Sequence, residues 1–216
     1  MTHELRHGAV AAPSAWIERW TPLLAPGSSV LDVACGSGRN ARWLARAGHR
    51  VTAVDRDPEA LAVVSLEASE PGIELRTLLA DLEGAPWPLP GERFDAVVVT
   101  NYLWRPLMPA LLDAVGPGGL LLYETFALGQ AALGRPRNPD HLLRPNELID
   151  LLRAPVPVRP IDAPQGEAAG TAWHVVAFEE GRLPGSESAP PREVQRIVAR
   201  RGKSPPGRPD LLVAAG

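Results

Sequence analysis

The chain has one cysteine, Cys35, among 216 residues. A single thiol excludes an intrachain disulfide and supplies no cysteine-built metal cluster, so no metal is expected. No apolar run approaches the roughly 18 residues that a membrane-spanning helix needs. The opening Met-Thr-His-Glu-Leu-Arg-His lacks the hydrophobic stretch of a secretory signal. The formal net charge is only −3, so no global basic field gathers nucleic acid. No internal repeat is visible. These absences leave a cytoplasmic globular enzyme as the expectation. The length suits one domain with a sizeable core, and a hydrophobic content of 45% is ordinary for such a domain. Nothing in the sequence sets an oligomeric state.

What is present begins with Val30-Leu31-Asp32-Val33-Ala34-Cys35-Gly36-Ser37-Gly38-Arg39-Asn40. A short β-branched run reads as a strand of a parallel sheet. Gly36 and Gly38 allow a tight turn and a close approach to a ligand. The helix that follows, over residues 40–46, aims its first amides at whatever sits on the turn. Asp32 lies four positions before the first glycine. A carboxylate there disfavours a diphosphate and favours a cationic ligand. Cys35 reads as a small residue in a tight turn rather than a nucleophile, since no histidine lies near it in sequence. The next strand, Val51-Thr52-Ala53-Val54-Asp55, ends in an acid nineteen residues after Gly36. Such an acid can accept both hydroxyls of a ribose. Leu78-Leu79-Ala80-Asp81-Leu82 places another acid after an apolar run.

These three elements resemble motifs I, II and III of the class I S-adenosylmethionine-dependent methyltransferases. The resemblance continues through Phe94-Asp95-Ala96-Val97-Val98-Val99-Thr100-Asn101 and through Gly116-Pro117-Gly118-Gly119-Leu120-Leu121-Leu122-Tyr123-Glu124, and it covers residues 14–180. It implies an α/β three-layer sandwich: a seven-stranded, mostly parallel sheet with an antiparallel last strand and helices on both faces. The nearest look-alike is a dinucleotide-binding Rossmann domain, which also has a glycine turn and an acid about 20 residues on. Asp32 would face its diphosphate, and 216 residues leave no room for a separate substrate domain.

Along the chain, residues 1–12 are expected to be flexible and residues 13–180 to form the methyltransferase domain. Ser14 can cap a helix over 15–24, whose Trp16 and Trp20 either pack on the core or touch substrate. Asp57-Pro58 opens a helix to about residue 68, with Asp57 as its cap. Strands are expected over 73–79, 94–100, 120–125, 156–161 and 172–178, and helices over 106–115 and 146–152. Residues 126–145 form a long loop with little periodicity, of a kind that is often functional. Residues 181–216 read as a Pro/Arg-rich, mostly disordered tail, with one short basic helix over 191–201. Its arginines 192, 196, 200 and 201 either stay solvated or meet RNA or an acidic partner.

By the resemblance, the cofactor is S-adenosyl-L-methionine. The backbone around Ala34, Gly36, Gly38 and Asn40 would contact its methionine and ribose parts, and Asp32 its ammonium. Asp55 would take the ribose hydroxyls, with Arg56 against the adenine. Asp81 would accept from the adenine amino group with the Leu82 amide on a ring nitrogen, or else form a turn before Glu83-Gly84. Asn101 would line the cleft near the methionine end. Acceptor contacts are expected at the ends of the fourth and fifth strands and on the long loop: Tyr102, Trp104, Arg105, Phe126, Arg137, Asn138 and Arg144. Tyr123, Glu124 and His141 are weak candidates for a base, which methyl transfer does not always require.

These segments look like an uncharacterised bacterial branch near the tellurite-resistance-type methyltransferases. The Asn-Pro-Pro-Tyr or Asp-Pro-Pro-Tyr signature of nucleic-acid amino methyltransferases is absent. A small-molecule acceptor is therefore favoured over RNA or protein, with a non-catalytic S-adenosylmethionine-binding regulator as the reading from another class.

Overall fold

The computed structural model describes residues 11–153, 173–185 and 190–202. Seven strands form one sheet: β1 (Ser29–Val33), β2 (Arg50–Asp55), β3 (Leu75–Leu79), β4 (Phe94–Thr100), β5 (Val115–Phe126), β6 (Trp173–Leu183) and β7 (Arg192–Arg201). Their order is β3-β2-β1-β4-β5-β7-β6. The first five are mutually parallel, and β7 runs antiparallel to both β5 and β6. The order reverses between β1 and β4. Open α/β sheets bind ligands at such a switch point, beyond the C-terminal ends of the strands.

The apolar runs are nearly continuous because both faces of the sheet are covered. Val30, Ala53, Val98 and Leu122 face α1 (Ala15–Trp20), α2 (Arg39–Arg46) and α3 (Pro58–Ala68). Leu31, Val54, Val97, Val99 and Leu121 face α4 (Met108–Ala114) and its surroundings. Each fully buried Val, Leu or Ile contributes about 1.5–3 kcal/mol. Asp57 caps α3 as expected, accepting the Glu59 and Ala60 amides, with Pro58 in the first turn. Ser14 caps α1 through the Trp16 amide. Trp16 and Trp20 are buried and meet edge-on at 5.5 Å, so they pack on the core rather than line a cleft.

The C-terminal segment departs from the sequence expectation. Residues 192–201 are neither a helix nor part of a disordered tail. They form β7, an interior strand between β5 and β6, and the domain extends beyond residue 180. Val194, Ile197, Val198 and Ala199 are buried, and the intervening arginines find partners inside the fold. Arg192 and Arg196 pair with Glu124. Arg200 donates to the Gly118 carbonyl, and Arg201 to those of Leu112, Asp113 and Val115. The strand expected over 172–178 exists as the sheet-edge strand β6, but the reversed strand is β7. The strand expected over 156–161 lies outside the described residues, as do residues 1–10 and 203–216.

The long loop is more ordered than its periodicity suggests. It contains α5 (Gln130–Leu133) and a 3-10 turn at Pro139–His141 before α6 (Glu147–Leu152). Ala127 bridges to Leu143, and Leu142 and Leu143 are buried. Among the described residues, no helix is long and apolar enough to cross a membrane, and no cluster of His, Cys, Asp and Glu is suited to a metal ion.

Candidate functional site

The turn after β1 is built from left-handed backbone. Ala34, Gly36 and Gly38 have φ of 52°, 54° and 73°. Two of the three are glycine, for which this region carries no steric penalty. The glycines serve different ends. A Cβ on Gly38 would lie 2.5 Å from Val64 Cγ2, so Gly38 lets α3 pack against the turn. A Cβ on Gly36 would meet nothing within 4 Å and would project into open space above the turn. The Cys35 amide donates to the Val54 carbonyl and the Gly38 amide to the Cys35 carbonyl, both at 3.0 Å.

Asp55, at the end of β2, accepts the Gly36 amide at 2.7 Å and the Asp57 amide at 3.0 Å, one on each oxygen. Each oxygen retains a further lone pair for a ligand hydroxyl. Beside it lies a pocket of about 190 Å³ lined by Ala34, Asp55, Arg56, Ala80, Asp81, Leu82, Glu83 and Tyr102. Five of the expected cofactor residues thus meet in one cavity. Asp81 plays its turn-forming role as well: its carboxylate accepts the Glu83 amide at 3.0 Å. Hydrogen bonds from the Glu83 and Gly84 amides hold its carboxyl below the usual carboxylate range. Arg56 stands exposed at the mouth, 3.9 Å from Glu83.

Tyr102, expected as an acceptor contact, lines this pocket. Its hydroxyl is buried without a hydrogen-bond partner, and burial raises the phenol pKa. Asn101, exposed just after β4, has φ of 56° and precedes Tyr102 in the chain.

Asp32 is only 1% exposed, and neither carboxylate oxygen has a hydrogen-bond partner. Burial pushes its carboxyl up to about 7, which the Ala41 amide and the Arg39 charge oppose only in part. A buried carboxylate without a partner is destabilising in the free protein and favours a cation. Cys35 is no nucleophile. Burial and the two carboxylates Asp32 and Asp55 push its thiol far above the ordinary range, leaving it protonated. Asn40 is committed to the fold: its side chain accepts the Ser14 amide at 2.9 Å and donates to Thr100 Oγ1 at 3.0 Å.

Two of the three expected bases are also committed. Glu124 is 1% exposed and lies between Ser14 Oγ at 3.2 Å, Arg196 at 3.5 Å and Arg192 at 3.7 Å. The Tyr123 hydroxyl donates to the Tyr102 carbonyl at 2.7 Å, and burial raises its pKa. His141 Nδ1 sits 3.5 Å from the Leu103 carbonyl, next to the pocket wall in sequence.

Arg105 is a strut, not a free acceptor contact. It bonds both oxygens of Glu147, at 2.6 and 2.9 Å, and the carbonyls of Asp140 and Leu142. Trp104 packs against the core, and Asn138 caps the 3-10 turn through the Asp140 amide. Phe126 is half-buried, whereas Arg137 and Arg144 are exposed. The residues that sequence reasoning passed over are Ser14 as a partner of Glu124 and the Arg192–Arg196 pair.

The residues present fit S-adenosylmethionine. There is an orphaned buried carboxylate for an ammonium, open space above Gly36, and an acid with spare lone pairs beside a pocket. A doubly wound parallel sheet with this turn and this acid at its switch point is the Rossmann-like fold of the class I S-adenosylmethionine-dependent methyltransferases. Residues 30–119 match the family described as a methyltransferase domain, and over that span the chain is similar to it.

Among curated proteins it is similar to a ubiquinone biosynthesis O-methyltransferase of Xanthomonas campestris pv. campestris, 32% identical over 148 residues, covering 59% of this chain and 62% of that protein. The protein of the same name from Xylella fastidiosa is 37% identical over 118 residues, covering 51% and 46%. The alignments therefore span less than two thirds of these relatives. Among solved structures, TehB from Haemophilus influenzae superposes with a TM-score of 0.67 at 19% identity, over 90% of this chain and 64% of that one. The glycopeptide N-methyltransferase MtfA, complexed with S-adenosyl-L-homocysteine, gives 0.57 at 18%, over 88% and 90%. At such identities the likeness is one of fold.

Proposed function

We propose that this protein transfers a methyl group from S-adenosylmethionine to a small-molecule acceptor in the cytoplasm. The observation that carries the reading is Asp32, a buried carboxylate with both oxygens unpaired, set directly before the glycine turn. The bound sulfonium supplies a methyl group already activated for in-line displacement. The chain's own residues hold and orient. Asp55 takes the ribose hydroxyls, the pocket of Ala80, Asp81, Leu82 and Tyr102 takes the base, and Asp32 meets the ammonium. Gly36 admits the ligand to the backbone. Positioning of this kind, with water excluded, supplies most of what a methyl transfer needs.

Two observations favour a small acceptor. The curated relatives are named for O-methylation in ubiquinone biosynthesis, which also makes a hydroxyl oxygen the favoured acceptor atom. The arginines that RNA docking would call on are bonded inside the fold. With Glu124 and Tyr123 committed, His141 is the remaining candidate base for a hydroxyl acceptor. Calorimetry should show binding of S-adenosylhomocysteine and none of NAD. Incubation with methyl-labelled S-adenosylmethionine should label the small-molecule fraction of a cell extract and not its RNA. Binding of NAD in place of S-adenosylhomocysteine would refute the cofactor assignment, and label confined to RNA would refute the acceptor class.

A further inference from the structure

Five large apolar side chains stand exposed among the described residues, and three of them lie on α3 and β3, at one edge of the sheet. Val63 and Leu66 on α3 are 41% and 70% exposed, and Leu79 at the end of β3 is 60% exposed. β3 is the outermost strand and pairs with β2 alone. Its sequence, Leu-Arg-Thr-Leu-Leu, has none of the proline or lysine that blunts an edge. Arg76, its one charge, is turned to Thr52 at 2.7 Å and to Glu92 at 2.6 Å. The opposite edge is protected. There β6 has a register shift between Val175 and Ala177 and carries Glu179, Glu180 and Arg182.

The backbone of β3 offers a regular row of free groups. The Val51 amide donates to the Glu74 carbonyl, and the Ala80 amide to the Asp55 carbonyl. Alternate residues of a strand turn both polar groups to the same side. Arg76 and Leu78 therefore serve β2, while Leu75, Thr77 and Leu79 direct theirs away from the sheet. On the face toward α3, Thr77 Oγ1 lies 3.1 Å from Ser65 Oγ. Beyond Ser65 the flank of the helix carries Ala62, Leu66 and Ser69, all exposed and uncharged, at the i, i+4 and i+7 spacing of one face.

We propose that this edge joins two copies of the chain about a two-fold axis, β3 against β3 in an antiparallel register centred on Thr77. Three features select a second copy as the partner. The free groups of Leu75, Thr77 and Leu79 are symmetric about Thr77, so Thr77 pairs with itself and Leu75 with Leu79 of the second copy, every pair on a hydrogen-bonding position. No charge in the strand pair meets its like, because Arg76 falls opposite Leu78 of the second copy. Ser65 sits over Thr77, so the adjacent Leu66 lies near the axis and meets its own equivalent, with the small Ala62 beside it to admit the second helix. The pairing covers the exposed Leu66 and Leu79 with apolar surface of their own kind.

Sedimentation equilibrium on the full chain tests this. The unaltered protein is expected to form a dimer that returns to monomer on dilution. Thr77→Pro removes an amide that the β2 ladder does not use, so it should abolish the dimer and leave the fold. Leu66→Lys and Leu66→Glu each set like charges together near the axis and should each weaken the dimer by about tenfold or more. Mixed in equal amounts, these two variants should recover a heterodimer. Leu128→Glu, at an exposed leucine on another part of the surface, should leave the dimer unchanged. Melting curves check that each variant folds. Should Thr77→Pro unfold the chain, the two Leu66 variants and their mixture carry the test.

A chain that stays monomeric at its highest soluble concentration overturns the proposal. So does a dimer that survives both Leu66 changes, or one that Leu128→Glu dissociates, since the interface then lies elsewhere.

Discussion

Asp55 and Gly36 are joined by a hydrogen bond of 2.7 Å, from the backbone amide to a carboxylate oxygen. One side chain thus fixes the backbone of the glycine turn and keeps a lone pair on each oxygen for a further partner. Asp55→Ala removes both functions. S-adenosylhomocysteine affinity is expected to fall about tenfold to a hundredfold while the fold survives. Asp55→Asn, which can still accept from Gly36, should fall less. Undiminished affinity in a folded Asp55→Ala protein would place the ribose elsewhere.

Gly36 and Gly38 should fail in different ways. Gly36→Val projects into the open space above the turn, so binding should be lost, with a stability cost of about 1–2 kcal/mol for the left-handed backbone. Gly38→Ala meets Val64 and should lose stability by a further 1–3 kcal/mol, roughly, from overpacking. Urea denaturation of Gly38→Ala with and without Val64→Ala should show the second change relieving part of the first. Strict additivity would mean the contact is not the cause.

Asp32 makes binding and stability move oppositely with pH. Its carboxyl is raised from 3.8 to about 7, with Arg39, Asp55 and Cys35 as the charged or titratable neighbours. The folded protein therefore binds more protons than the unfolded one in this window. The stabilisation from Asp32 is complete below about pH 4 and is lost as the pH rises through about 7. An ammonium ligand prefers the ionised form, so S-adenosylhomocysteine affinity should rise through the same window, with release of a proton. Asp32→Asn should flatten both profiles. An unchanged affinity profile in that variant would assign the dependence to another group.

The bond network of Arg105 and Glu147 holds the loop against the end of β4. Glu147→Ala leaves Arg105 without its carboxylate and is expected to cost about 1–3 kcal/mol. Limited proteolysis should then cut residues 126–147 faster than in the unaltered protein. Equal cleavage rates would show that Leu142 and Leu143 anchor the loop alone.

The exposed part of that loop is proposed to serve the acceptor. Replacing Arg137 and His141 by alanine should leave S-adenosylhomocysteine affinity nearly intact and reduce turnover once an acceptor is in hand. A loss of cofactor affinity equal to the loss of turnover would move these residues to the cofactor side.

The first five strands were legible because each is a short apolar run bounded by glycine, proline or acid, and because a sheet covered on both faces needs no alternation. Asp32, Asp55 and the glycines were legible as a motif with fixed spacing. What escaped had partners far along the chain. Residues 192–201 read as basic and polar within any local window, and only Glu124 and the carbonyls of residues 112–118 reveal them as an interior strand. Arg105 read as a ligand contact because Glu147 is 42 residues away. Tyr102 lines the pocket beside Asp55, and nothing in the sequence signals this beyond an asparagine at 101 that tolerates a left-handed bend.

The insertion of β7 between β5 and β6 also orders the assembly of the molecule. The β6–β7 ladder runs from Leu183↔Arg192 to Trp173↔Arg201, a pairing that zips up from its near end. The β5–β7 ladder joins Phe126 to Val194 and Leu120 to Arg200 and must wait for a much larger loop to close. Until then β5 is a bare edge carrying Leu120, Leu121 and Leu122, open to pairing with another chain. Glu124 has no guanidinium beside it until the hairpin docks. The pocket beside Asp55 is lined by residues at the ends of β1, β2, β3 and β4 and by none of β6 or β7. The sheet is therefore completed on this side by the last described strand in chain order, which supplies no lining residue to the pocket beside Asp55.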